Sequence, residues 1–223
     1  VARNCYAEER GANLMVKETG IIMTGEHPKL ILDNRKTMTR RTRGLKEINE
    51  CPDLWEWFGF DNSGRYSFRF KPGDRIVNIR CPYGQVGDRL WVRETWATEK
   101  RMDNKPPSFL GDASDVPLWY RVNDRLTEDR VERGKWRPSI FMPRWASRLT
   151  LEITALRVER LQEITPRDCE HEGIDGENML DTFIKNDFRI LWDSLNTKRG
   201  YGWEKNPWVW VISFKRLTLG DDR

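Results

Sequence analysis

The run Pro28-Lys-Leu-Ile-Leu-Asp-Asn-Arg-Lys-Thr-Met-Thr-Arg-Arg-Thr-Arg43 decides how the chain is read. Proline at the first turn opens a short helix, and Asp33 or Asn34 closes it. Residues 36–43 are β-prone through their threonines and polar on both sides, which predicts a strand with a basic face. Lys36 then sits at an element junction, where a side chain can face a cavity. In a regular strand Thr37 and Thr39 share one face while Lys36, Met38 and Arg40 share the other. A turn or bulge at Lys36 is therefore required if Lys36 and Thr39 are to face one hollow. The competing reading is a solvated edge strand whose cations guard against aggregation.

Outward from this run, period-two alternation recurs. Leu54-Trp-Glu-Trp-Phe58 and Tyr66-Ser-Phe-Arg-Phe70 read as a hairpin inserted between two halves of a core. In Arg89-Leu-Trp-Val-Arg-Glu-Thr-Trp96, Leu90, Val92 and Glu94 fall on one face. Residues 97–135 are charged and hold Pro106-Pro107, an excursion with one strand near residues 118–122. Leu149, Leu151 and Ile153 point to one side of a long strand. Thr165-Pro-Arg-Asp-Cys-Glu-His-Glu172 carries a Thr cap, proline at the first helical position and a stop at Gly173. Phe183, Phe188, Leu191, Trp192 and Leu195 keep helical spacing. The closing stretch Trp208-Val-Trp-Val-Ile-Ser-Phe-Lys-Arg-Leu217 sets Val209, Val211 and Ser213 opposite Trp208, Trp210, Ile212 and Phe214. Strands and short helices alternate irregularly, without GxGxxG or a P-loop. An α+β fold is expected, a small, mixed, mainly antiparallel β-barrel with short helices at its cleft.

Composition bounds the function classes. The chain has 223 residues, 33% of them charged, and carries 11 Trp, 9 Phe and 5 Tyr, an aromatic content that argues for a folded domain. A single domain over residues 15–220 is expected, with insertions at about 44–80 and 97–135. Residues 1–14 lack an apolar period and read as a disordered or extension tail. No apolar run approaches the roughly 20 residues of a membrane span, and no secretory signal pattern is seen, so a cytoplasmic protein without a membrane partner is expected. The formal net charge is +4, only weakly suggestive of a polyanionic partner. Local clustering carries more, since no acid lies between Asp33 and Glu47. Cys5, Cys51, Cys81 and Cys169 are far apart with no CxxC pair, so neither a metal nor a cofactor is expected.

Three groups of residues carry chemistry. The first is the Lys36 to Arg41 block. The second is Glu170, His171 and Glu172 at a helix end, where surface carboxylates are the plain alternative. With two histidines in the chain, a Ser-His-Asp arrangement has few possible members. The third is residues 136–148, which interleave arginine with tryptophan around Arg144, Trp145 and Arg148, the residue types that pair with phosphate and stack on bases. Trp136 and Trp145, taken singly, read better as core.

These blocks carry a resemblance. Asn34-Arg-Lys-Thr-Met-Thr-Arg-Arg41, Cys81-Pro-Tyr-Gly84, Val86-Gly-Asp-Arg-Leu-Trp-Val-Arg-Glu94, Met142-Pro-Arg-Trp-Ala-Ser-Arg148, His171-Glu172-Gly173 and Asn206-Pro-Trp-Val-Trp210 together resemble ASCH domains of the PUA-like superfamily. More narrowly, they are similar to phage and prophage ASCH proteins described as morphogenetic. The likeness runs over about residues 17–217. It implies a barrel whose cleft binds RNA or a modified nucleoside. It also implies, alternatively, an amidohydrolase acting on N4-acetylcytidine, with Lys36, Thr39 and Glu172 catalytic and Arg40, Arg41, Arg144, Trp145 and Arg148 holding the ligand. Ribonuclease activity or a role in phage assembly without a nucleic-acid ligand are further alternatives. This chain is about twice the length of the small ASCH hydrolases, so its insertions bear on the cleft.

Overall fold

The computed structural model describes residues 16–61, 63–110, 116–123, 131–176 and 180–218. The expected tail at residues 1–14 lies outside them. The chain is α+β. Its main sheet has five strands, β1 (Glu18–Ile22), β2 (Met38–Arg41), β6 (Arg89–Arg93), β9 (Thr150–Arg160) and β10 (Trp208–Arg216), in the order β1-β6-β9-β10-β2. Only β1 and β6 run parallel; the other pairs are antiparallel. A three-stranded sheet, β3 (Trp55–Phe60), β4 (Tyr66–Phe70) and β5 (Ile76–Ile79), covers one face, and β7 (Trp96–Ala97) pairs with β8 (Trp119–Tyr120). The helices are α1 (His27–Leu32), α2 (Lys46–Glu50), α3 (Pro166–His171) and α4 (Asp181–Asn196).

The closing strand organises both cores. On one face of β10, Trp208, Trp210, Ile212 and Phe214 pack with Ile21, Leu90, Val92, Leu151 and Ile153, under Trp55 and Phe68 of the small sheet. On the other face, Val209 and Val211 join Met38 and meet Cys169, Ile184, Phe188 and Trp192 of α3 and α4. Each large side chain buried in this way contributes about 1.5–3 kcal/mol. β10 is thus buried on both faces, as its partition of side chains requires.

Two features differ from the sequence expectation. The insertion at residues 44–80 is a three-stranded sheet preceded by a helix rather than a hairpin, because Ile76–Ile79 adds a strand beside β4. Its α2 anchors it: Asn49 is buried, donates to the Trp208 carbonyl at 2.9 Å and accepts the Trp208 N–H at 2.7 Å. The main sheet is also not closed by backbone pairing, since β1 and β2 are its two edges. Side chains bridge this seam instead. The Arg41 guanidinium on β2 donates from Nη2 to the Ile22 carbonyl on β1 at 2.9 Å and lies 3.1 Å from the Met23 sulfur. Gly20 on β1 is held close to β6, where an added Cβ would lie 2.8 Å from the Trp91 ring. Among the described residues no helix is long and apolar enough to cross a membrane.

Candidate functional site

The junction after α1 sets the direction of Lys36. Asn34 adopts a left-handed backbone with φ 56°, a conformation asparagine tolerates. The N–H groups of Arg35 and Lys36 both donate to the Leu30 carbonyl, at 2.8 and 3.0 Å, and the Thr37 N–H donates to the His171 carbonyl at 2.9 Å. Lys36 therefore precedes β2 and escapes its alternation. This is the turn that lets a residue three positions before Thr39 aim inward.

α3 supplies the partner. The Thr165 hydroxyl accepts the Asp168 N–H, Pro166 follows it, and Glu172 ends the helix. Gly173 then turns at φ 94°, where a Cβ would lie 2.8 Å from Leu30 Cδ1, so only glycine lets α1 pass this close. The Lys36 ammonium, 1% exposed, donates to the Glu172 carbonyl at 2.7 Å and to its Oε2 at 2.6 Å. A cation thereby caps the carbonyl end of α3, where the helix dipole favours positive charge. Burial pushes the ammonium below the usual lysine range, against the pull of the Glu172 carboxylate. Burial would raise the Glu172 carboxyl, but the charges of Lys36 and then Arg40 outweigh it and hold it below its usual value.

Arg40 closes a second link. Its Nη1 reaches Glu172 Oε1 at 3.4 Å, and its Nη2 reaches Glu159 Oε1 at 2.5 Å and Asp168 Oδ2 at 2.9 Å. Arg157 binds the same Glu159 and Asp168, each at 2.9 Å. Three cations and three carboxylates thus form one network, with the Arg40 guanidinium 5.8 Å from the Phe188 ring centre.

Beside this network lies a cavity of about 610 Å³, at the seam between the edges of the main sheet. Gly20 and Ile22 of β1 and Thr39 to Arg41 of β2 line it, and Phe188, Leu191, Trp192 and Leu195 of α4 wall it. Its size is within the range of about 300–1,000 Å³ typical of small-ligand sites. Thr39 and Glu172 both open onto it.

The structure thus brings Thr39, Arg40, Arg41 and Glu172 to one cavity, whereas Lys36, expected to face the same hollow, is buried against Glu172 and does not line it. It does not bring Arg144, Trp145 or Arg148 to this cleft. Arg144 is exposed and pairs with Glu18 at 2.8 Å. Trp145 packs edge-on against Trp96, with ring centres 5.9 Å apart. Arg148 grips Glu94 through two contacts of 2.9 Å and stacks 4.0 Å from the centre of the Tyr120 ring. The interleaving of arginine and tryptophan around residues 136–148 serves packing and ion pairing of the inserted segment. Glu170 and His171, singled out with Glu172, do not line the cavity.

Other lining residues carry little sequence signal. His27 lines the cavity, and burial first, then the charge of Lys36, push its imidazole down to about 3, so it is neutral at ordinary pH. Its place just before Pro28 at the mouth of α1 was the available clue. Arg199 and Tyr201, past the end of α4, reach the same cavity through a turn that no periodicity announces. Among the described residues no cluster of three or more His, Cys, Asp or Glu is placed to hold a metal ion. Comparisons with protein-family models, with curated proteins and with solved structures give no match to this chain.

Proposed function

We propose that the seam cleft binds a nucleoside, free or as part of an RNA, as the ASCH resemblance implies. In this reading the five-stranded sheet is the open barrel of a PUA-like domain, with its ligand at the unpaired edges. The observation that carries the reading is one cavity onto which Thr39 and Glu172 open together, rimmed by guanidinium groups and walled by Phe188 and Trp192. Apolar walls with a few convergent polar groups are the usual form of a small-molecule site. Equilibrium dialysis with labelled cytidine, N4-acetylcytidine and a short RNA tests it. Saturable binding that Thr39→Val and Glu172→Gln weaken supports the cleft; binding to none of these probes refutes it and favours an assembly role.

One observation favours amide hydrolysis as a second reading. The Lys36 ammonium and the Glu172 carboxylate touch at 2.6 Å, within reach of direct proton transfer. The Glu172 carboxylate, which opens onto the cavity and is held by Lys36, takes a proton from the Thr39 hydroxyl or from a water beside it. The oxygen so activated attacks the acetyl carbonyl. The proton passes to the exocyclic nitrogen as the C–N bond breaks, releasing the cytosine amine. Attack by Thr39 itself leaves an acetyl ester that water then hydrolyses; attack by water releases acetate at once. Turnover of N4-acetylcytidine by wild type, lost about 10²-fold or more in Lys36→Ala and Glu172→Gln, supports this chemistry. Binding without turnover leaves the binding module alone, and cleavage of labelled RNA points to a nuclease.

A further inference from the structure

The charge along the cleft divides unevenly. Lys36, Arg40 and Arg157 are matched by Glu172, Glu159 and Asp168, so this network is internally neutral. Arg41, Arg43, Lys46 and Arg199 also line the cavity, and among the described residues none of them has a carboxylate within the 4.0 Å of an ion pair. Arg43, Lys46 and Arg199 are exposed and sit at the rim. Arg41 is deeper. Its Nη2 is spent on the Ile22 carbonyl, and its Nε is buried with no hydrogen-bond partner. An unmet guanidinium donor in a low-dielectric site is costly, and four cations converging with no carboxylate at ion-pair distance repel one another. An anion in the cleft relieves both.

We propose that Arg41, Arg43, Lys46 and Arg199 form a phosphate subsite, so that the ligand of this cleft is a nucleoside carrying a 5′-phosphate. The inference rests on the nucleoside reading of the same cavity and adds the ester group. Position along the chain supports it. Arg41 follows Thr39 by two residues on β2, about 7 Å along the strand, and Arg43 lies in the turn that directly follows it. A base that reaches Thr39 and Glu172 therefore extends its ribose toward the arginines. Arginine is suited to this task, because its planar fork pairs with phosphate oxygens through two parallel hydrogen bonds.

Titration calorimetry at low salt with cytidine, N4-acetylcytidine, their 5′-monophosphates and inorganic phosphate tests the subsite. Each monophosphate is expected to bind at least about 10-fold tighter than its nucleoside, and inorganic phosphate to compete with it. In Arg43→Gln/Arg199→Gln, whose exposed positions spare the fold, and in Arg41→Gln, this ratio collapses toward one. Arg144→Gln, outside the cleft, keeps the wild-type ratio. A 5′-phosphorylated trinucleotide separates the sources of the phosphate: tighter binding than the monophosphate assigns the site to an RNA end, equal binding to a free nucleotide. Equal affinity for nucleoside and monophosphate overturns the subsite while leaving the nucleoside reading intact. A preference that survives in the arginine variants places the phosphate elsewhere and also overturns it. No binding by any of these probes removes both.

Discussion

Replacing Lys36 with methionine keeps most of the aliphatic stem and deletes the charge. The side chain of Lys36 is wholly inaccessible, and that of Glu172 is 6% exposed, so water replaces the lost partner poorly. Two short contacts disappear, those to the Glu172 carboxylate and carbonyl. Breaking one side of a buried ion pair costs about 3–5 kcal/mol, because the surviving charge stays buried. Here Arg40 remains 3.4 Å from Glu172 and keeps the loss near the lower bound, about 3 kcal/mol. For a chain of this length each kcal/mol moves Tm by about 2–4 °C, giving a fall of about 6–12 °C. Urea unfolding followed by tryptophan fluorescence measures it, with Glu172→Gln and the double variant completing the cycle. The two losses are expected to be non-additive by more than about 1 kcal/mol, since the double variant leaves neither charge stranded. A loss below about 1 kcal/mol for Lys36→Met, or strict additivity, would refute the buried pair.

Other consequences follow from the same geometry. Arg148→Ala strands Glu94, which is 3% exposed, and is expected to lower stability by about 3 kcal/mol while leaving nucleoside affinity unchanged; a loss of affinity instead would return Arg148 to the site. Glu172 titrates below its ordinary value of 4.5 when folded, so the folded chain binds fewer protons there than the unfolded chain. The stability it lends is present above that value and drains away as pH falls through the lower folded value. Wild type should therefore lose its advantage over Glu172→Gln in urea midpoints taken progressively below about pH 4.5, and parallel curves would contradict this. Burial pushes the thiols of Cys81 and Cys169 up to about 11 and 12, whereas Cys51 is exposed. Iodoacetamide followed by peptide mass spectrometry is expected to label Cys51 and spare the other two until the chain unfolds; labelling of Cys169 in the native chain would count against the packing of α3.

Much of the fold was legible where one interaction dominates. The partition of β10 into two faces follows from alternation alone, because both faces are buried and a slip of one residue would invert them. The limits of α3 follow from its Thr cap, its proline and Gly173. β1 was not legible: Glu18-Thr-Gly-Ile-Ile22 is five residues long, has glycine at its centre, and gains its place from Trp91 and from parallel pairing with β6. β5 was missed for a related reason, since Ile76-Val-Asn-Ile79 is four residues whose strand character comes from β4 beside it. Of the site, the Lys36, Thr39 and Arg40 block was readable from its density of cations and hydroxyls, and Glu172 from a helix stop. Arg144, Trp145 and Arg148 show the opposite case. Their composition suits a ligand, but Glu18, Trp96 and Glu94, all distant in sequence, had already claimed them. His27, Arg199 and Tyr201 depend on how three loops meet, which no local pattern encodes.

The most direct test of the cleft is a crystal of the protein grown with cytidine 5′-monophosphate. The account predicts electron density for the nucleotide at the seam between β1 and β2, the base against Thr39 and Glu172 and the phosphate among Arg41, Arg43 and Arg199. Density at another surface, or a seam filled by side chains while the nucleotide binds elsewhere, would contradict it.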